Sequence, residues 1–261
     1  MPAALLAQEE ERGRPYRQLI NEYFLTGSVY PQEQGEVQLT LLPSVSASET
    51  DRTVLPFAVE YGISDRWQVE VEWSPLTVVE PEQSRRRSSV GDVELSTQYS
   101  FMRIGGSMFH AALGFGVSLP TGDLERGTTE GFVEYEPSLA VARDLEALDG
   151  LQLFGQVALG LVDRVEQHDD PADDEPAAHE VNLSAGVLLP MGDARFVAEF
   201  HWTTNEWNNG GEESELYLSP GLVWDLPGTW EAGFAVPMGI SLDADDIRFM
   251  LVVLYEFEID G

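Results

Sequence analysis

Acidic side chains stand at alternate positions in several runs of this chain. Glu70 and Glu72 alternate with apolar residues in Trp67-Gln-Val-Glu-Val-Glu-Trp73, and Glu134 and Glu136 flank Tyr135. Glu60, Glu94, Glu199, Glu215 and Glu231 hold comparable places elsewhere. Carboxylates gathered along one passage disfavour anions and admit cations or neutral solutes. Alternatively they are hydrated and merely fill the space. Catalysis asks for other groups. The histidines are His110, His168, His179 and His201. His201 with Thr203 and Asn205 is the one local arrangement of hydrolase character, yet no serine adjoins it. Asp169, Asp170, Asp173, Asp174 and Glu175 cluster between His168 and His179, a set of oxygens that suits calcium. No glycine-turned binding loop accompanies them, so a solvated loop is the competing interpretation. Arg85-Arg86-Arg87 offers guanidinium forks to lipopolysaccharide phosphates, or is an exposed loop tip. There is no cysteine and no phosphate-cradling glycine motif, and no metal, cofactor or enzymatic activity is expected.

The elements that position these groups are strands. Alternate residues of a β-strand face opposite sides, so Trp67 to Trp73 has one apolar and one polar face. The pattern recurs about a dozen times in runs of roughly 9–11 residues, the length of a membrane-crossing strand. The first apolar faces are Val37/Leu39/Leu41, Leu55/Phe57/Val59/Tyr61, Trp67/Val69/Val71/Trp73 and Val93/Leu95/Thr97/Tyr99/Phe101. The last is Ile247/Phe249/Leu251/Val253/Tyr255/Phe257. This pattern predicts an all-β fold, a transmembrane antiparallel up-and-down barrel of about 12 strands. Connection lengths agree: short turns such as 62–66, 103–107, 190–194 and 225–229 alternate with long ones at 74–89, 120–131, 163–179 and 203–213. Short periplasmic turns and longer outer loops are the habit of such barrels.

Tryptophan and tyrosine prefer the lipid–water boundary. Trp67, Tyr99, Trp224 and Trp230 fall at one set of strand ends, and Trp73 and Trp202 at the other, as two aromatic girdles would. The opposite strand faces then point into the lumen: Glu60, Glu70, Glu72, Glu94, His110, Glu134, Glu136, Glu199, His201, Glu215, Glu231 and Arg248. A charge on the lipid face costs ~2–4 kcal/mol near the midplane, which fixes the choice of face. A soluble lipid-binding barrel would need an apolar interior instead.

Net charge is −32, from 46 acids against 14 bases, all arginine; such a field excludes nucleic acid as a partner. The start Met-Pro-Ala-Ala-Leu-Leu-Ala7 followed by acidic residues reads as the tail of a secretory signal, or as an ordinary N-terminus. Residues 1–35 therefore divide from a barrel over 36–261. The apolar patch Leu19, Ile20, Tyr23, Phe24 and Leu25 either plugs the lumen, sits at its periplasmic mouth, or belongs to a loose tail.

Three segments resemble the outer-membrane family of the phenol-degradation meta-pathway: Tyr61-Gly-Ile-Ser-Asp-Arg-Trp-Gln-Val69, Val90-Gly-Asp-Val-Glu-Leu-Ser-Thr-Gln-Tyr99 and Ser118-Leu-Pro-Thr-Gly-Asp123. Their order and spacing are similar over 36–258. The resemblance implies a bacterial outer-membrane barrel that passes hydrophobic or aromatic compounds, and it carries over no catalytic residue. Barrels of this kind usually end on an aromatic residue read by the barrel-assembly machinery; here Phe257 is followed by four more residues. The expected function is passive passage of small solutes through an acidic lumen, with outer-membrane lipid and lipopolysaccharide as surroundings. The alternative is a non-conducting structural or adhesion barrel that acts through its outer loops.

Overall fold

The structure, a computed structural model, describes residues 16, 18–47, 50–81, 85–145, 148, 150–164, 179–205 and 214–259. The expected signal remnant, the acidic cluster between His168 and Glu175, and the last two residues lie outside these. The described residues form twelve spanning strands, three of them split by a short break. They are β1 (Glu36–Leu41 and Ser44–Ala47), β2 (Thr50–Ser64), β3 (Trp67–Pro81), β4 (Arg87–Ser89 and Val93–Phe101), β5 (Phe109–Leu119) and β6 (Phe132–Leu145). There follow β7 (Leu151–Arg164), β8 (Glu180–Met191), β9 (Ala194–Thr204), β10 (Ser214–Asp225), β11 (Trp230–Ala235 and Met238–Gly239) and β12 (Ile247–Glu258).

Each strand pairs antiparallel with the next, and β12 returns to β1 through Val37↔Phe257 and Leu39↔Tyr255, closing the barrel. Closure leaves no sheet edge with unpaired backbone groups, the condition for crossing a bilayer with strands. No described helix is long and apolar enough to cross a membrane. Two residues, Asp65 and Arg66, join β2 to β3, and Gly192-Asp193 joins β8 to β9, with Gly192 at φ 73° where a side chain would be strained. The end that carries these short connections is called the turn end below, and the opposite end the loop end.

Two of the three breaks fall at prolines. Pro43 interrupts β1 and Pro237 interrupts β11, because neither has an N–H to give the ladder. Their carbonyls still accept, from Leu251 N and Arg248 N. The chain departs from expectation after Trp73. Residues 74–89 are expected as a loop, but β3 continues to Pro81 against β2, and Arg87–Ser89 pairs with Thr77–Val79. A bulge between Leu55 and Phe57, beside Pro56 and Pro75, shifts the register. Beyond it the β-branched run Thr77-Val-Val79 resumes strand geometry. The hairpin therefore stands up past the loop end.

The outward face carries the apolar set read from alternation. Phe57, Tyr61, Trp67, Val71, Trp73, Leu95, Leu113, Phe115, Leu218, Phe249 and Leu251 are all exposed, which needs lipid rather than water around them. At the turn end Trp67 faces Tyr99 across the ladder and gives its indole N–H to Thr97 Oγ1 at 2.8 Å. Trp230 packs on Tyr255 with ring centroids 4.6 Å apart, and Trp224 stacks on Phe234 at 5.8 Å. At the loop end Trp202 donates to Ser214 Oγ at 2.9 Å. The indole N–H groups of Trp67 and Trp202 are thus satisfied, as suits such side chains beside a lipid–water boundary.

Candidate solute path in the barrel interior

Residues 18–32 run through the interior of the barrel at the turn end. Their contacts come from strands on every side, which only an interior position allows. Leu19, Ile20, Tyr23, Phe24, Val29 and Tyr30 are buried among Ala112, Ala140, Phe154, Leu188, Val197, Val223 and Val252 of the wall. A strongly acidic lumen is expected from sequence, and at this end leucines and valines on the inner face meet the apolar patch of the segment. Full burial of such side chains contributes ~1.5–3 kcal/mol each, which offsets the entropy of holding an otherwise irregular chain.

Polar groups set the register of the segment. The Glu199 carboxylate accepts the backbone N–H of Phe24 at 3.2 Å and of Leu25 at 3.0 Å. Gln156 Oε1 accepts from Gly27 N at 2.7 Å, and Gln68 Oε1 from Gln32 N at 2.8 Å. A coil buried without such acceptors would leave its amides orphaned. Wall glycines make the seat. A Cβ at Gly62 would lie 1.7 Å from the Glu33 carbonyl oxygen, and one at Gly221 would lie 2.6 Å from the Phe24 ring. Gly62 belongs to the Tyr-Gly hairpin noted in the sequence, so that motif receives the N-terminal segment.

Four of the expected lumen residues belong to this seat or its supports. Glu60 accepts from Gln68 Nε2 at 2.9 Å and from the amide of Gln38. Glu231 takes Arg195 Nη2 at 2.7 Å, which also reaches Asp225 at 2.5 Å. His110 accepts Arg103 N–H on Nδ1 at 3.2 Å, so its Nε2–H faces Asp144 at 3.4 Å. Glu199 is the anchor already described. Glu70 lies across the ladder from Glu60 and takes a 3.5 Å bond from Ser96. Farther toward the loop end Glu72 pairs across the ladder with Glu94. Glu94 and Glu134 lean over glycines: a Cβ at Gly116 would meet the first at 2.9 Å, and one at Gly160 the second at 2.4 Å. Glu136 is the register partner of Gly116. Glu215 accepts from the Tyr217 hydroxyl at 3.1 Å, and Arg248 lies over the Tyr217 ring, 5.0 Å from its centre. A polar cavity of about 290 Å³ opens here, bounded by Glu130, Glu180, Asn182, Thr203, Thr204, Asn205 and Glu215.

Two arrangements are not visible along the sequence. Ser184 of β8 comes within 2.8 Å of His201 Nδ1 through the β8–β9 ladder. Thr203 gives its proton to Asn182 at 2.6 Å, so its oxygen is left to accept from His201 Nε2 at 2.9 Å. The serine missing beside His201 is thus supplied across the sheet. Phe154 is an aromatic residue in the inward phase of β7, between Gln152 and Gln156; that phase is the signal that marks it. Its ring stacks on Tyr23 with centroids 3.8 Å apart.

The Gly-Asp motifs meet at the loop end. Asp92 accepts from Gly122 N and Thr129 Oγ1, both at 2.9 Å, and Thr121 Oγ1 donates to the Gly91 carbonyl at 3.2 Å. Arg87 and Arg126 cross between β4 and the β5–β6 connection, to the carbonyls of Glu125 and Ser88, both at 2.9 Å. The motifs are a latch between the break in β4 and that connection, and Arg85 and Arg86 are exposed beside it.

The family model described as "Putative MetA-pathway of phenol degradation" matches residues 55–247, which include all three motifs. The chain belongs to this family. Among solved structures it is similar to the NanC porin, at 12% identity and a TM-score of 0.57, over 85% of this chain and 100% of that one. The KdgM porin matches at 11% identity and 0.54, over 85% and 99%. The translocator domain of the autotransporter NalP from Neisseria meningitidis matches at 10% and 0.55, over 98% of each chain. No curated protein matches the sequence. At such identities the likeness is one of fold: a closed outer-membrane barrel of porin type.

Proposed function

We propose that this family member passes small cationic or neutral solutes across the bacterial outer membrane without energy coupling, and that residues 18–32 set how open the path is. The carrying observation is the division of the interior. The turn end is filled by a segment held by hydrogen bonds and apolar contact. The loop end has Glu72, Glu94, Glu134, Glu136 and Glu215 on its inner face and an open polar cavity. The KdgM porin was solved with an oligogalacturonate, a polyanion. A wall of carboxylates suits solutes of the opposite charge or none. Apolar wall and segment residues at the turn end fit the passage of aromatic or hydrophobic solutes, as family membership suggests.

The filled turn end also favours a second reading, a barrel that does not conduct and works through its loops. Planar-bilayer recording separates the two. The expected outcome is cation-favouring steps that are rare in the unmodified protein and frequent in Glu199→Ala, which loses the anchor for Phe24 and Leu25. Correctly inserted Glu199→Ala that stays silent would leave the loop-acting barrel.

A further inference from the structure

Tyr23 is a phenol held in a fitted seat. One face of its ring lies on Phe154, 3.8 Å between centroids and 20° from parallel. Its hydroxyl donates to Gln152 Oε1. That carbonyl is aimed by the rest of its amide, since Gln152 Nε2 donates to Asp144 Oδ1 at 2.6 Å and to the Tyr30 hydroxyl at 2.5 Å. A carboxylate accepts and does not donate, so Asp144 holds the NH2 on its side and leaves the oxygen facing Tyr23. Phe154 is placed by an absence. Gly186 is its ladder partner, and a Cβ there would lie 2.4 Å from the Phe154 ring. The ring therefore lies flat on bare backbone with a face free for stacking. Gln152, Asp144, Phe154 and Gly186 belong to the wall, whereas Tyr23 and Tyr30 belong to the segment.

We propose that Gln152, Phe154 and Gly186 form a binding site for free phenols, which Tyr23 occupies as a tethered competitor. The proposal rests on the passage reading for how a phenol reaches the site. A competitor on the same chain lowers apparent affinity by the fraction of time the seat is vacant, and its removal restores it. Ring stacking and one directed acceptor define the ligand: a planar ring with a hydroxyl, small enough to replace one tyrosine side chain.

The test uses 4-methylphenol, the tyrosine side chain cut at Cβ, titrated calorimetrically into the refolded full chain. Tyr23→Ala is expected to bind it saturably, at least about tenfold tighter than the unmodified protein. Toluene, without the hydroxyl, is expected to bind roughly tenfold more weakly, the scale of one buried hydrogen bond. Phe154→Ala in the Tyr23→Ala background is expected to abolish saturation. Tyr23→Phe, which keeps the apolar packing, is expected to fall between the unmodified protein and Tyr23→Ala, and serves if Tyr23→Ala fails to fold. Equal affinity in Tyr23→Phe and the unmodified protein, or equal binding of toluene and 4-methylphenol, would overturn the site. Liposome flux of 4-methylphenol separates the two claims. Saturable binding without flux removes passage and keeps the site; flux unchanged by Phe154→Ala without saturable binding removes the site and keeps passage.

Discussion

Carboxylates on one wall matter through what surrounds each of them. Glu60, Glu199 and Glu231 are spoken for by amides, backbone N–H groups and Arg195, so they hold structure. Glu94 and Glu134 lean over glycines at the loop end. Replacing both by glutamine is expected to lower the cation/anion permeability ratio read from reversal potentials, with barrel assembly unchanged. A ratio that stays the same would assign selectivity elsewhere. The Ser184–His201–Thr203–Asn182 chain has a serine on a histidine, but a threonine instead of a carboxylate orients the ring. Alternation alone puts Glu94 on the inner face. It says nothing of Ser184, which reaches His201 only through the β8–β9 register.

The N-terminal segment and its seat behave as one element. Its apolar patch is plain in the sequence, but a coil has no period from which to infer a docking face. The wall shows the complementary shape, bare at Gly62 and Gly221. Gly221→Val is therefore expected to push Phe24 out of place, at a cost to docking of ~1–3 kcal/mol. Hydrogen–deuterium exchange at Phe24 and Leu25 should then accelerate while strand amides stay protected; protection unchanged at both sites would show that the segment does not depend on this contact. The β2–β3 hairpin teaches the reverse. Residues 74–89 contain prolines and three arginines, which read as a loop, and pairing with β2 and Arg87–Ser89 overrides that local signal.

The whole molecule is a closed cylinder with an apolar outside. The exposed belt and the rings of Trp67, Trp73, Trp202, Trp224 and Trp230 require lipid contact. Brominated lipids are expected to quench tryptophan fluorescence strongly after refolding into vesicles, with greatest effect when bromine lies near the headgroups. Quenching greatest for bromine at the chain ends would contradict the two girdles. Trp230→Ala removes the Tyr255 partner beside the closing strand, and a loss of about 0.5–1.5 kcal/mol in unfolding by denaturant is expected.

Strand number and the apolar outward face were determined by sequence alone. Each depends on a period of two or on spacing along the chain, and both survive in one dimension. Tertiary structure decided what fills the cylinder. The inner leucines and valines, Phe154 on Gly186, Tyr23 on Phe154 and the Asp92 latch join residues far apart in sequence. Their meeting depends on curvature and register around a closed sheet, which no local pattern records.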